Sequence, residues 1–261
     1  MEAYETILCE MAGPVATVTL NRPQARNTLS LRMVDELLDC FTALAGEEGA
    51  GVRAVVLRAA GEVFCAGGDV RDLADSSGSP EAQRAATGQL DALLQAVNEA
   101  PQVVIARVQG PALGGGLGLV CVADIVVAGP QARFGMPEVR LGLVPSLISP
   151  YVVARLGLPR TRYMMLTGQQ FGAQEAAELG LAHEVIPDAD VHGVLHEVLQ
   201  CAPDALRACK RLLFTVARAS DPAQTLDYRI ELLNRLRAGD EAQQGLRAFA
   251  AKQPAPWVPR P

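Results

Sequence analysis

The chain has 261 residues, about half of them apolar, which is enough to bury one substantial core and lies near the upper limit for a single domain. Its formal charge is −6, basic residues are spread thinly, and Lys210 and Lys252 are the two lysines, a balance that argues against a nucleic-acid surface. No run approaches the roughly 18 to 20 apolar residues of a membrane span, and Met1-Glu2-Ala3-Tyr4-Glu5 lacks the pattern of a secretion signal, so a cytoplasmic protein is expected.

Val15 to Leu20 alternates as a strand and stops at the turn signal Asn21-Arg22-Pro23, where a hairpin or sheet edge is expected. Ser30 stands as N-cap before Leu31 to Ala45, where Leu31, Val34, Leu37, Leu38, Phe41 and Leu44 recur at helical spacing. Ala54 to Leu57 is a short apolar strand, Glu81 to Ala100 a helix ended by Pro101, and Val103 to Val108 another buried strand. Such alternation implies crossover connections and α/β architecture. After the strand at Asp124 to Ala128 the chain is largely helical from about Ser149, with one short further strand at Ala182 to Ile186. The Ser-rich stretch Ala74 to Pro80 reads as a flexible loop. No internal sequence repeat is present. The six cysteines (Cys9, Cys40, Cys65, Cys121, Cys201, Cys209) have no CxxC pair and read as reduced, mostly buried thiols.

Two apolar strands run into glycine-containing loops, Phe64-Cys65-Ala66-Gly67-Gly68-Asp69 and Gly110 to Gly116. In the second, Gly114-Gly115-Gly116 opens the buried helix Leu117 to Val122, so free backbone N–H groups and the positive end of a helix dipole would face one spot. Taken alone, the glycines fit tight packing between elements as well as they fit close approach of a ligand oxygen. The spacing GGGxG is not the GxGxxG of a dinucleotide-binding loop.

Leu20-Asn21-Arg22-Pro23, Phe64 to Asp69, Ala112 to Gly116, and Phe134-Gly135-Met136-Pro137-Glu138 occur in the order and spacing of the crotonase (enoyl-CoA hydratase/isomerase) superfamily. The resemblance runs on through Leu166-Thr167-Gly168 and Ala176 to Leu181 to Phe249-Ala250-Ala251-Lys252, nearly the whole chain. It implies a spiral of ββα units over residues 1–200 that carries an acyl-CoA site. A helical C-terminal region, residues 201–261, would serve oligomerisation and cover of that site, as a homotrimer or a dimer of trimers. It also implies an oxyanion hole made by the backbone N–H groups of Gly68 and Gly115. Donors fixed in advance favour an enolate over a neutral thioester, by roughly 3 to 4 kcal/mol per donor where such groups have been removed. No metal and no cofactor is expected beyond the coenzyme A of the thioester substrate itself.

Hydratases of the superfamily usually carry two glutamates, one two residues after the triple glycine and one after FGxP. The second is Glu138; at the first position this chain has Gly118. One carboxylate can still shuttle a proton in syn addition or elimination of water, with Glu138 acting as base and then acid. A substrate with its own carboxylate near C3 would be repelled by a second fixed charge, so Gly118 is read as removing that charge and opening space. The segments Gly114 to Leu119, Glu138 to Pro145 and Ile148 to Val152 resemble bacterial 3-methylglutaconyl-CoA hydratases and their carboxygeranoyl-CoA relatives; the reverse reaction of the former dehydrates 3-hydroxy-3-methylglutaryl-CoA. A one-acid Δ3,Δ2-enoyl-CoA isomerase, a decarboxylase of the same fold, and an RNA-binding or assembly subunit are the rival readings.

For the distal carboxylate, Arg71, Arg84 and Arg140 are candidates by nearness to the motifs, with plain surface charge as the alternative for each. By resemblance, Arg26 lies near the coenzyme A phosphates and Lys252 near the nucleotide end, across subunits. Ala66, Asp69, Gly114 and Gly118 are read as further contacts with the thioester, and Asp69 also suits the cap of a following helix. His192 and His196 have the i, i+4 spacing of a metal pair but no third ligand. Cys65 has no base beside it and reads as packing.

Overall fold

The computed structural model describes residues 4–69 and 79–259; Arg71 and residues 74–78 of the expected flexible loop lie outside the described residues. β1 (Ile7–Ala12) and β2 (Val15–Leu20) form an antiparallel hairpin with Ile7 opposite Leu20. β1 has no sequence signature because Glu10, Met11 and Ala12 are all exposed, which erases the alternation a half-buried strand shows. Ser30 caps α1 (Leu31–Ala45) as expected, its Oγ accepting from the Met33 N–H at 3.3 Å.

β3 (Ala54–Ala59), α2 (Pro80–Asn98), β4 (Val103–Val108), β5 (Ala112–Leu113), α3 (Gly115–Val122), β6 (Ile125–Ala128) and β7 (Arg133–Gly135) follow. Then come α4 (Ser149–Leu156), α5 (Leu158–Thr167), β8 (Gln170–Gly172), α6 (Ala173–Glu178) and β9 (Glu184–Val185). The larger sheet has the order β1-β2-β3-β4-β6-β9 and the smaller one β5-β7-β8. Pairs β2/β3, β4/β6 and β6/β9 are parallel, as crossover connections require.

Parallel bridges from Leu29 to Gly68 and from Cys65 to Ala112 continue the smaller layer. Successive stretches of chain therefore run from a strand of the larger sheet to a short segment of the smaller layer: β2 to Leu29, β3 to Cys65 and Gly68, β4 to β5, β6 to β7. A helix follows at α1 and α3. The repeat is one of geometry and leaves no trace as a sequence repeat, because each turn of the spiral packs against different neighbours. Between the layers and helices lies one apolar core, with Val18, Leu57, Val104 and Val126 from the sheet and Leu37, Phe41, Leu93, Leu94 and Leu117 from the helices.

The chain divides into two compact units, Met1–Ala100 with Val104–Val191, and Pro101–Val103 with His192–Pro261. The boundary read from sequence lies after residue 200; the structural division puts α7 (His192–Gln200) with the second unit. There α8 (Pro203–Arg218), α9 (Leu226–Ala238) and α10 (Asp240–Ala250) complete a helical body. Glu241 accepts from the Asp204 and Ala205 N–H groups at 3.0 Å each, a carboxylate placed on the open amides of a helix start. Among the described residues no helix is long and apolar enough to cross a membrane.

Glu36 fastens β1 to α1. Its carboxylate accepts from the Thr6 N–H at 2.8 Å, the Thr6 hydroxyl at 2.6 Å, the Glu5 N–H at 3.1 Å and Arg32 Nε at 2.9 Å. Burial pushes its pKa up, but these donors outweigh burial and hold it at about 2. A depressed carboxylate stabilises the fold above its unfolded value and loses that contribution as pH falls through the folded one. Glu36→Gln should therefore cost about 1 to 3 kcal/mol at pH 7, from donors left facing an amide N–H₂. Urea unfolding should show the gap to wild type narrowing between pH 4.5 and pH 2.

Candidate active site

Two loops meet at the start of α3 because their backbones pair. The Leu29 N–H donates to Gly67 O at 2.8 Å and the Asp69 N–H to Leu29 O at 3.1 Å, which turns the Gly68 N–H toward the opposite side of the segment. The Cys65 N–H donates to Pro111 O at 3.0 Å and the Leu113 N–H to Cys65 O at 2.9 Å, locking the first loop alongside the second. Gly115 is the first residue of α3, so its N–H has no intrahelical acceptor. Among the described residues neither the Gly68 nor the Gly115 N–H meets an acceptor. A Cβ built on Gly115 would lie 3.9 Å from Gly68 N, so the two expected donors are neighbours at the positive end of one helix.

The three glycines answer to three different partners. A Cβ on Gly116 would sit 2.7 Å from Cys65 Cβ, and one on Gly115 would sit 2.9 Å from Leu29 Cδ1. At Gly114 the backbone is left-handed (φ 52°) and a Cβ would lie 2.7 Å from Glu138 Oε1. Tight packing and close approach of a carboxylate are thus both present in one turn.

Glu138 reaches Gly114 through β7. Phe134 pairs with Ala112 and Phe171, Gly135 pairs with Leu113, and the Gly114 N–H donates to Gly135 O at 2.9 Å. Pro137 then opens a 3₁₀ turn, Pro137–Leu141, closed by the left-handed Gly142. The Leu143 N–H donates to Glu138 O at 3.0 Å, which holds the residue's backbone in place. Glu138 is half-buried, its Oε2 is shielded from solvent and meets no hydrogen-bond partner, and burial pushes its pKa up. A carboxylate that is partly desolvated, with one oxygen unpaired, is suited to taking and returning a proton.

Gly118 does not open space. A Cβ built there would collide with Cγ2 of Ile148 and lie 3.1 Å from Ile148 Cβ and 3.5 Å from Leu94 Cδ2. The volume that a second carboxylate would need is filled by apolar side chains, and Gly118 is itself buried. Asp69 is buried (5% exposed) and ion-paired with Arg22 at 3.5 Å, with a 3.3 Å hydrogen bond from the Thr28 hydroxyl, so it ties loops together and does not present a free carboxylate to a ligand. Arg140 is exposed, and its Nη2 donates to Thr167 O at 3.4 Å.

Arg26 is exposed and left-handed (φ 54°), and its carbonyl accepts from the Ala66 N–H at 3.1 Å, so both residues border the first loop. Arg84 is exposed on α2. Lys252 belongs to the second unit, where it is exposed just beyond α10. Cys65 is fully buried, and burial raises its thiol pKa to about 12, which agrees with a packing role. His196 lies 3.5 Å from the Gln200 amide on α7.

Sequence reasoning passed over Leu29 and Asn27. Leu29 braces both donors, through backbone bonds on either side of Gly68 and through a side chain against Gly115. Asn27 is fully buried in a left-handed conformation, and its amide donates to Ala60 O at 2.9 Å and Val63 O at 2.8 Å, fixing the entry to the first loop. The signal available was an Asn beside a turn, since Asn tolerates that conformation better than most residues.

The sequence profile of the family described as enoyl-CoA hydratase/isomerase matches residues 10–260. The chain belongs to the enoyl-CoA hydratase/isomerase family. Its fold is the crotonase fold: it is 40% identical to AtuE of Pseudomonas aeruginosa with a TM-score of 0.92, over 98% of this chain and 100% of that one. A Marinobacter aquaeolei enoyl-CoA hydratase/isomerase is 38% identical with a TM-score of 0.91, over 97% and 99%. An enoyl-CoA isomerase/hydratase of Mycosarcoma maydis is 32% identical over 94% of this chain and 92% of its own length.

Because the would-be Cβ of Gly114 meets the carboxylate of Glu138, Gly114→Ala should displace that group and strain the turn. The expected outcome is a loss of about 1 to 3 kcal/mol of stability and a fall of roughly 10²-fold or more in turnover of an enoyl-CoA. Both are read from chemical denaturation and steady-state rates.

Proposed function

We propose that the chain is a hydro-lyase that adds water to the double bond of an enoyl-CoA, and in reverse removes it from a 3-hydroxyacyl-CoA, with Glu138 as the one acid and base. The observation that carries this reading is the neighbourhood of Gly114: two amides without acceptors beside a half-buried carboxylate whose Oε2 has no partner.

In hydration, Glu138 takes a proton from water as the water oxygen bonds to C3. The C2=C3 electron pair moves toward the thioester, leaving an enolate oxygen between the Gly68 and Gly115 N–H groups. The enolate then collapses, and C2 takes the proton back from Glu138. Water is consumed, the carboxylate is regenerated, and both new bonds form on the face where Glu138 stands. Preorganised amides act on charge that exists only after the bond changes, so they lower the barrier and do not merely tighten binding.

For the acyl group the reading is a branched dicarboxylic one, 3-methylglutaconyl-CoA and its hydrate 3-hydroxy-3-methylglutaryl-CoA. Support comes from the resemblance in Glu138 to Pro145 and Ile148 to Val152, and from the missing charge at Gly118. The apolar lining behind Gly118 offers no donor to a substrate carboxylate, so the reading requires a cation elsewhere, for which Arg71, Arg84 and Arg140 are the candidates by sequence. Isomerisation is the second reading, because a lone carboxylate suffices to move a proton between carbons. Assembly as a trimer or a dimer of trimers is proposed as well, supported by the exposed apolar side chains Leu141, Val144 and Leu166 in the first unit and Leu233 and Phe249 in the second. A monomer in sedimentation equilibrium would contradict it.

Heavy-oxygen water separates the two chemistries: 3-methylglutaconyl-CoA should yield a labelled 3-hydroxy product, and a shifted double bond without label would sink the hydratase reading. Glu138→Gln should lower kcat/KM by about 10²- to 10⁴-fold and leave coenzyme A binding intact. Its stability should move the other way. Burial raises the folded pKa of Glu138, so the charged form costs stability above that value and the cost is absent below the unfolded one. Glu138→Gln should therefore melt higher than wild type at neutral pH, with the difference vanishing in acid, and the acid limb of wild-type kcat/KM should lie above the ordinary carboxylate range.

A further inference from the structure

Gly118 lies three residues beyond Gly115, under one turn of α3 and about 4.5 Å along the axis, and its N–H donates to Gly114 O at 3.1 Å. It is thus stacked next to the residues that would hold the thioester oxygen and Glu138. The side chain occupying the space in front of it is Ile148, which is 3% exposed, with Leu94 fully buried behind. Ile148 is held firmly: it immediately precedes α4, and its carbonyl accepts from the Val152 N–H at 3.0 Å.

An acyl chain whose carbonyl oxygen rests on Gly115 and whose C2 is within reach of Glu138 has C3 only two bonds beyond the carbonyl carbon. The substituent on C3 then falls within about one helical turn of Gly115, the distance at which Ile148 packs on α3 over Gly118. Branched methyl groups cannot hold a water there, but they can pack against another methyl. We propose that Ile148 is a specificity-determining residue, whose side chain, backed by Leu94, forms the apolar wall that receives an alkyl substituent on C3 of the acyl chain. The enzyme thereby selects 3-alkyl enoyl thioesters over their unbranched counterparts. This inference rests on the hydratase reading and adds to it the residue that recognises the branch.

The test uses two substrates that differ only in the methyl on C3, 3-methylglutaconyl-CoA and glutaconyl-CoA, with the full chain and its Ile148→Val and Ile148→Ala variants. One methyl in an apolar pocket discriminates by about 10- to 200-fold, so wild type should favour the methylated thioester by at least about tenfold in kcat/KM. Ile148→Ala should reduce that ratio about tenfold, chiefly through the methylated substrate, and Ile148→Val should fall between. An equal loss on both substrates, the mark of a merely structural role, would overturn the inference. So would an unchanged ratio, and in either case labelled product from wild type would leave the hydratase reading standing. Absence of hydration of both substrates by wild type would overturn the two together.

Discussion

The site depends on how closely three backbones approach the first turn of α3. With no side chain at Gly114, Gly115 and Gly116, the carboxylate of Glu138, the side chain of Leu29 and the loop at Cys65 can each come within van der Waals contact of that turn. A Cβ at any of the three would push one of them out. Close approach is also what leaves amides free: paired along the smaller layer, the loops satisfy the N–H groups of Leu29, Cys65, Leu113 and Gly114 with one another's carbonyls, and those of Gly68 and Gly115 face neither strand. An orphan donor is ordinarily a defect. Two of them side by side at a helix N-terminus are what the proposed oxyanion hole calls on, donors held ready for a charge that has yet to develop.

That arrangement works against stability, and other contacts in the first unit offset it. Glu138 keeps a buried oxygen without a partner, which burial alone disfavours. Asn27 donates to two carbonyls from a left-handed backbone, Arg22 grips Asp69 from across the loop, and Glu36 gathers four donors to fasten β1 onto α1. The same chemical group, a carboxylate, is therefore driven in opposite directions by its surroundings. At Glu36 the donors win and the charge is locked in; at Glu138 desolvation wins and the carboxyl keeps its proton to higher pH than an ordinary carboxylate does. The contrast sets Glu36, a fastening residue, apart from the residue proposed as acid and base more surely than burial does.

Much of this was legible in the sequence, and the limits have physical causes. The strands of the larger sheet other than β1, the cap at Ser30 and the helix at Gly115 are written in local periodicity and turn chemistry, and Glu138 with the paired glycines is written in a motif. The smaller layer is not, since β5, β7 and β8 hold two or three residues each, too few for any period to register.

Gly118 marks the subtler limit. A missing side chain invites the inference of a missing volume, but a close-packed interior leaves no such vacancy. The partner that fills it, Ile148, stands thirty residues further on and carries no motif of its own, so nothing local connects the two positions. They must nonetheless be read as one feature. A glycine opposite a small residue would be a pocket, and a glutamate opposite a small residue would be a second acid; a glycine opposite isoleucine is a wall. In the proposed site, the missing carboxylate thus changes the character of the surface beside C3, from one that binds water to one that binds hydrocarbon. Which acyl branch fits there is then independent of whether the far end of the substrate carries a charge.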